Sequence, residues 1–247
     1  MSRRTLRNEV LLVLGVSLGA SAVYSLLELL RRLSVATPLS QQASQLNQSQ
    51  ASNHWLDLTY QLVGIGFALV PALLAVHLLD RGNDGPAVLG FTPPRLGFDL
   101  GSGAGLFVLI GVPGLGLYLA ARALGINTTV EASGLPDVWW RYPVLLLSAL
   151  QNAALEEIVV VGYLVTRLRQ LGWGLPAVIA TSALLRGSYH LYQGFGGFLG
   201  NAVMGVIFVL FFLRYRRVGP LVFAHFLLDA VAFVGYATVG RHLSFLQ

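Results

Sequence analysis

Seven apolar runs dominate this chain, each close to the ~20 residues that a helix needs to cross a bilayer core. They fall at Glu9–Leu30, Leu56–Leu79, Leu100–Ala121, Pro143–Val165, Leu175–Tyr192, Gly194–Leu213 and Val218–Val239. The runs are too long for strands and lack the period-2 alternation of an outer-membrane barrel. Helices follow, because each must satisfy its own backbone hydrogen bonds in lipid. The expected fold class is all-α, a polytopic membrane protein with about seven transmembrane helices. Only 11% of the residues are charged, against roughly 25% in a soluble domain, which excludes a water-soluble globule. The absence of cysteine excludes disulfides, thiolate metal sites and a cysteine nucleophile.

The scarce charges mark topology. All 16 basic residues are arginine and the net charge is +5. On a soluble protein that excess would prompt a search for a nucleic-acid face, but here the arginines sit between apolar runs, and no nucleic-acid partner is expected. With the N-terminus inside, Arg3, Arg4, Arg7, Arg81, Arg95, Arg167, Arg169, Arg214, Arg216 and Arg217 fall on the cytoplasmic side. Arg31, Arg32, Arg122, Arg141 and Arg241 fall outside, a bias in the direction of the positive-inside rule. The first run continues past the small triplet Ala20, Ser21, Ala22 to Leu30, so it reads as an uncleaved anchor rather than a signal peptide. The expected location is a bacterial plasma membrane, N-terminus cytoplasmic. The uncharged stretch Ser34–Asn53 reads as a flexible outer loop, and Asp80–Asp99, with Gly82, Gly85, Pro86, Pro93 and Pro94, as a turn-rich connector.

Six ionisable residues lie inside runs: Glu156 and Glu157 in the fourth, Arg186 and His190 in the fifth, His225 and Asp229 in the seventh. One Arg or Asp at a helix centre costs roughly 2.5–3.5 kcal/mol, so the unpaired set would cost on the order of 10 kcal/mol. They are expected to gather in one protein-lined cavity. Arg186 and His190 are four residues apart, as are His225 and Asp229, so each pair shares a helix face. Glu156 and Glu157 are adjacent and about 100° apart around a helix, so they take different jobs. One carboxylate faces a reacting water and the other pairs with an arginine. Straight, untilted helices would spread these groups over roughly 12 Å in depth; tilting, an extension of the fourth helix toward Arg169, or a bend near Gly187 would close the gap. Single residues have plainer readings. His77 and Glu28 reach the interface, His54 and His242 are loop or tail residues, and Tyr189, Tyr192 and Asn201 could line the cavity, although tyrosines near a span end more often act as anchors.

These residues resemble the CPBP family, which includes the type II CAAX prenyl endopeptidases and bacterial relatives described as intramembrane proteases or bacteriocin-immunity proteins. The family pattern places Glu-Glu-x-x-x-Arg, Phe-x-x-x-His and His-x-x-x-Asn/Asp on successive membrane helices. Here the parts read Glu156, Glu157 to Val161; Arg186 to His190; and His225 to Asp229. Val161 stands where the family has arginine, and Arg186 where it has phenylalanine. Arg186 is therefore expected to supply the missing cation to Glu157 from the neighbouring helix. The resemblance implies that Glu156 and His190 activate a water and that His225 with Asp229 supports the oxyanion of a peptide hydrolysis. It covers 143–239, a four-span core, leaving 1–142 as a three-span region with connectors and 240–247 as a short tail.

No cofactor is expected, although two histidines and a glutamate also make a zinc set, Glu156, His190 and His225, with an open position. The His-Glu-x-x-His spacing that fixes zinc on one helix is missing. The leading reading is an intramembrane endopeptidase acting on a membrane-associated peptide or protein. Its alternatives are a non-catalytic scaffold or immunity factor of the same fold, and a proton-coupled transporter, since Glu, His and Asp chains also relay protons.

Overall fold

A computed structural model describes residues 1–81, 86–91 and 93–238. Gly82 and Gly85 of the connector, and Arg241 and His242 with the rest of the 240–247 tail, lie outside the described residues. The helices are α1 (Arg3–Gly15), α2 (Leu18–Leu33), α3 (His54–Ala68), α4 (Val70–Arg81), α5 (Leu96–Ala123), α6 (Arg141–Glu156), α7 (Leu164–Gln170), α8 (Leu175–Ser188), α9 (Phe195–Tyr215) and α10 (Gly219–Thr238). A π-helical segment, Glu157–Tyr163, joins α6 to α7. Local chemistry sets several starts. Asn53 caps α3 by accepting from the N–H groups of Trp55 and Leu56, and Pro176 occupies the first turn of α8.

Five helical stretches are long and apolar enough to span a membrane: His54–Arg81, Leu96–Ala123, Arg141–Gln170, Phe195–Tyr215 and Gly219–Thr238. The α1–α2 pair adds a sixth if it is one span bent by 49°. The all-α membrane class holds, while the count of about seven is reduced by α8. That helix has 14 residues, about 21 Å at 1.5 Å per residue. It ends at Ser188, short of the bilayer thickness, although the apolar run continues to Tyr192. Composition extends the run, but the backbone turns where Gly187 lets Phe198 of α9 pack at 2.8 Å from the position a Cβ would take. Leu11, Leu12, Tyr24, Phe67, Leu73, Leu109 and Val112 on the peripheral helices are exposed, as a lipid-facing surface requires.

Contacts sort the connectors onto two faces. On one, Arg217 pairs bidentately with Asp99 at 2.6 Å, the Val218 N–H donates to Leu89, and Arg3, Arg4 and Arg7 lie beside Leu171 and Trp173. This is the arginine-rich face. There Asp99 holds the Arg217 guanidinium above its ordinary pKa. Arg167, expected in a cytoplasmic segment, is fully buried at this face, with Glu9 at 3.4 Å and the Leu78 carbonyl at 2.5 Å.

On the opposite, arginine-poor face, β1 (Ala43–Gln45) pairs in parallel with β2 (Thr129–Glu131), and Asn127 bridges Gly194. The flexible-loop expectation for Ser34–Asn53 is thus overturned. Its polar side chains have fixed partners: Ser44 Oγ bonds Thr128 Oγ1 at 2.7 Å and the Tyr192 carbonyl at 2.9 Å, and Asn47 donates to Ala132 at 2.9 Å. Low hydrophobicity suggested disorder, whereas tertiary hydrogen bonds supply the order.

Candidate active site

The fourth span carries the two adjacent glutamates at a change of helical winding. α6 ends at Glu156 and the π segment begins at Glu157; such segments recur at functional sites. This junction also resolves the depth problem. A Cβ added at Gly162 would lie 3.2 Å from Val218, so Gly162 is level with the start of α10. α7 then continues to Gln170, eight residues further, or about 12 Å. The long fourth helix therefore overshoots α10, and Glu157 meets His225 at 2.7 Å.

Glu157 is fully buried and serves as a hub. Its Oε1 accepts from Arg186 Nη2 at 2.5 Å and lies 2.7 Å from His225 Nδ1. The cation thus reaches Glu157 from α8 rather than from position 161, where Val161 is buried in the apolar core. Arg186 Nη1 also stands 3.5 Å from Glu156 Oε2, and the guanidinium carbon lies 5.4 Å over the Phe208 ring. One buried cation thus serves two carboxylates. Glu156 borders a cavity, and its Oε2 accepts from the Tyr189 hydroxyl at 2.7 Å. Tyr189 is buried and lines the cavity, the less favoured of its two sequence readings, rather than acting as an interfacial anchor.

His190 lies just beyond α8, in the turn before Leu191–Gln193, and not within a span as expected. Its Nδ1 is 3.1 Å from the Arg186 carbonyl. A carbonyl only accepts, so Nδ1 carries the proton and Nε2 keeps a free lone pair. Gly194, at φ 109°, closes this turn against Ile126 and Asn127, where any side chain would collide. On α10, His225 Nε2 is 3.7 Å from Asp229 Oδ1, and Asn152 Nδ2 donates to Asp229 Oδ2 at 3.4 Å. Asn152, one turn before Glu156, is a site residue that sequence reasoning missed. Its signal was an amide beside Gln151, one turn before the two glutamates of the same span.

Glu156, Asn152, Tyr189, His190, His225 and Asp229 share a cavity of about 920 Å³. A second, more apolar chamber of about 480 Å³ lies behind His190, His225 and Asp229, bounded by α5, α9 and α10 through Leu115, Met204 and Leu228. The first cavity is walled by Glu28, Arg32, Ala43–Gln48, Tyr192 and Gln193 of the arginine-poor face. Toward the arginine-rich face, Val159, Val160, Val161, Phe208, Phe212, Val218 and Leu221 are completely buried, so the bundle is packed shut there. Ser21, Tyr24 and Ala68 continue the wall sideways, between α2 and the α3–α4 break, toward lipid.

The expected zinc set is not assembled. The ligand atoms that come within 4.8 Å of one another belong to Glu156, Glu157 and His225, without His190. Even this set fits a dication poorly. Arg186 already bonds Glu157 and faces Glu156, and His225 Nδ1 is directed at the same Glu157 oxygen. A metal would have to share that shell with a fixed cation, so no step of the chemistry is assigned to one.

No curated protein and no solved structure matches the chain. Residues 138–231 match the family model described as Rce1-like, type II CAAX prenyl endopeptidase Rce1-like. The match runs from just before α6 into α10 and takes in both glutamates, Arg186, both histidines and Asp229. Over this core, the chain is similar to the Rce1-like family of type II CAAX prenyl endopeptidases, in line with the resemblance to the CPBP family.

Proposed function

We propose that this protein is an intramembrane endopeptidase that hydrolyses a membrane-associated peptide with a water activated by Glu156 and His190. The observation that carries the reading is the single cavity onto which Glu156, His190, His225 and Asp229 all open. Glu156 has one oxygen held by Tyr189, leaving the other to take a proton from water while His190 Nε2 orients it. The water oxygen adds to the scissile carbonyl, and the proton passes from Glu156 to the departing amine. The developing oxyanion is served by His225 Nε2–H, with Nδ1 anchored on Glu157, and by the Asn152 amide. Asp229 then aligns donors rather than donating itself, because an ionised carboxylate only accepts. Arg186 balances the two glutamates without touching substrate.

The cavity opens on the arginine-poor face, which the positive-inside bias assigns to the non-cytoplasmic side. The substrate is therefore a peptide or protein segment presented from that side or from within the bilayer, with the apolar chamber accepting a large side chain or lipid tail. The test is reconstitution in proteoliposomes with a library of membrane-anchored peptides, comparing wild type with Glu156→Gln and His190→Ala. Cleavage by wild type that both substitutions abolish is expected, and cleavage that survives both would overturn the assignment. Partner binding without any cleavage would favour the scaffold or immunity reading, and proton flux across the vesicle would favour transport.

A further inference from the structure

The short strand β1 forms one wall of the catalytic cavity, and only one of its two edges is paired. Its bonds to β2 run through Gln42, whose carbonyl accepts from Thr129, and Leu46, whose N–H donates to Glu131. In a parallel pair the bonding residues alternate along the strand, so Gln42, Ser44 and Leu46 face β2. Ala43 and Gln45 turn their N–H and C=O groups the other way. The Ala43 carbonyl accepts from Arg32 Nη2 at 3.1 Å. Gln45 turns its pair outward, and among the described residues no third strand covers this edge.

An uncovered strand edge is a template for another chain, and proteins normally blunt it. Here it is held rigidly instead. Ser44 Oγ ties β1 to the Tyr192 carbonyl, two residues from His190, and Tyr192 is in turn fixed by its N–H donating to Ser25 Oγ at 2.7 Å. The whole stretch Ala43–Gln48 lines the same cavity as Glu156, His190 and His225. Strand addition to such an edge uses main-chain hydrogen bonds for affinity, and an extended backbone is also the form in which a peptide carbonyl lies open to attack.

Resting on the proteolytic reading above, we propose that the free edge of β1 at Gln45 is the substrate-docking strand, which takes an extended, unstructured peptide segment as a third strand and feeds it to Glu156 and His190. Recognition by backbone makes the enzyme tolerant of substrate sequence and selective for segments without regular structure near a membrane anchor.

The test is a binding measurement that does not depend on turnover. The Glu156→Gln protein in nanodiscs is titrated with a pool of acyl-anchored fluorescent peptides, and the retained members are followed by anisotropy. Gln45→Pro, added to that background, removes an outward N–H without taking a bond from β2. It is expected to weaken binding about three- to tenfold, the weight of one hydrogen bond. Backbone N-methylation of the peptide is expected to weaken binding at alternate positions, and this readout stands even if the proline variant fails to fold. A flat N-methylation profile, unchanged affinity in a folded Gln45→Pro protein, or no peptide binding at all would overturn strand docking. Persistent cleavage by Glu156→Gln would overturn the catalytic assignment alone.

Discussion

Removing the Arg186 guanidinium tests the electrostatic design of the site. Its side chain is fully buried, bonds Glu157 at 2.5 Å and stands 3.5 Å from Glu156, while its Nε and Nη1 have no hydrogen-bond partner. Arg186→Met keeps most of the apolar stem but leaves two mostly buried carboxylates without their cation. Breaking a buried pair in this way costs about 3–5 kcal/mol. The lower end is expected because Tyr189 and His225 still bond the glutamates. Glu157→Gln alone strands the guanidinium on one 3.5 Å contact and costs a similar amount. The double variant strands no charge of that pair, so its cost falls short of the sum by about 2 kcal/mol or more, within the range of contacting residues. The assay is reversible unfolding in mixed micelles, followed by helical circular dichroism for the wild type, both single variants and the double variant. Additivity within about 0.5 kcal/mol would show that the two residues are not coupled, and the argument that a relocated arginine holds Glu157 would be wrong.

Three further outcomes follow from the geometry. Tyr189→Phe removes the only hydroxyl bonded to Glu156 in the described residues and should lower kcat on the order of tenfold with little change in KM, as a lost hydrogen bond to a charged group predicts; steady-state kinetics on any cleaved peptide reads it. Gly187→Ala would place a Cβ 2.8 Å from the Phe198 carbonyl oxygen, pushing α8 from α9 beside Arg186, and should destabilise by about 1–3 kcal/mol in the same unfolding assay. A strong chelator should leave cleavage unchanged because Arg186 holds the place a dication would need; loss of activity restored by zinc would reverse that assignment.

The candidate site was legible to different degrees. The two glutamates, both histidines, Asp229 and Arg186 could be read directly, since in a chain with so few charges each ionisable group inside an apolar run must find company. The partnership of Arg186 with Glu157 was also legible, as an expectation from a motif whose usual arginine position holds Val161. Asn152 was not, and Tyr189 was legible only as a residue that could line the cavity. Neither is charged, and what distinguishes them is a single contact each, to Asp229 and to Glu156. The zinc set failed for a related reason: spacing put His190 on a helix face with Arg186, but the helix ends at Ser188, and the ligand atoms that cluster belong to Glu156, Glu157 and His225 without His190.

By itself, the sequence determined the membrane class, the helical architecture and the identity of the charged residues that need shelter. These depend on residue type and run length, which lipid reads directly through the cost of an unsatisfied backbone or a bare charge. Only the tertiary structure decided how those residues meet. The π segment and the overshooting fourth helix bring Glu157 level with His225, and the polar stretch after α2 becomes a strand because Ser44 and Asn47 find distant partners. Packing also closed the arginine-rich side and lined the cavity with connectors of the other. Such features arise from contacts between residues far apart in the chain, and no local pattern of hydrophobicity encodes them.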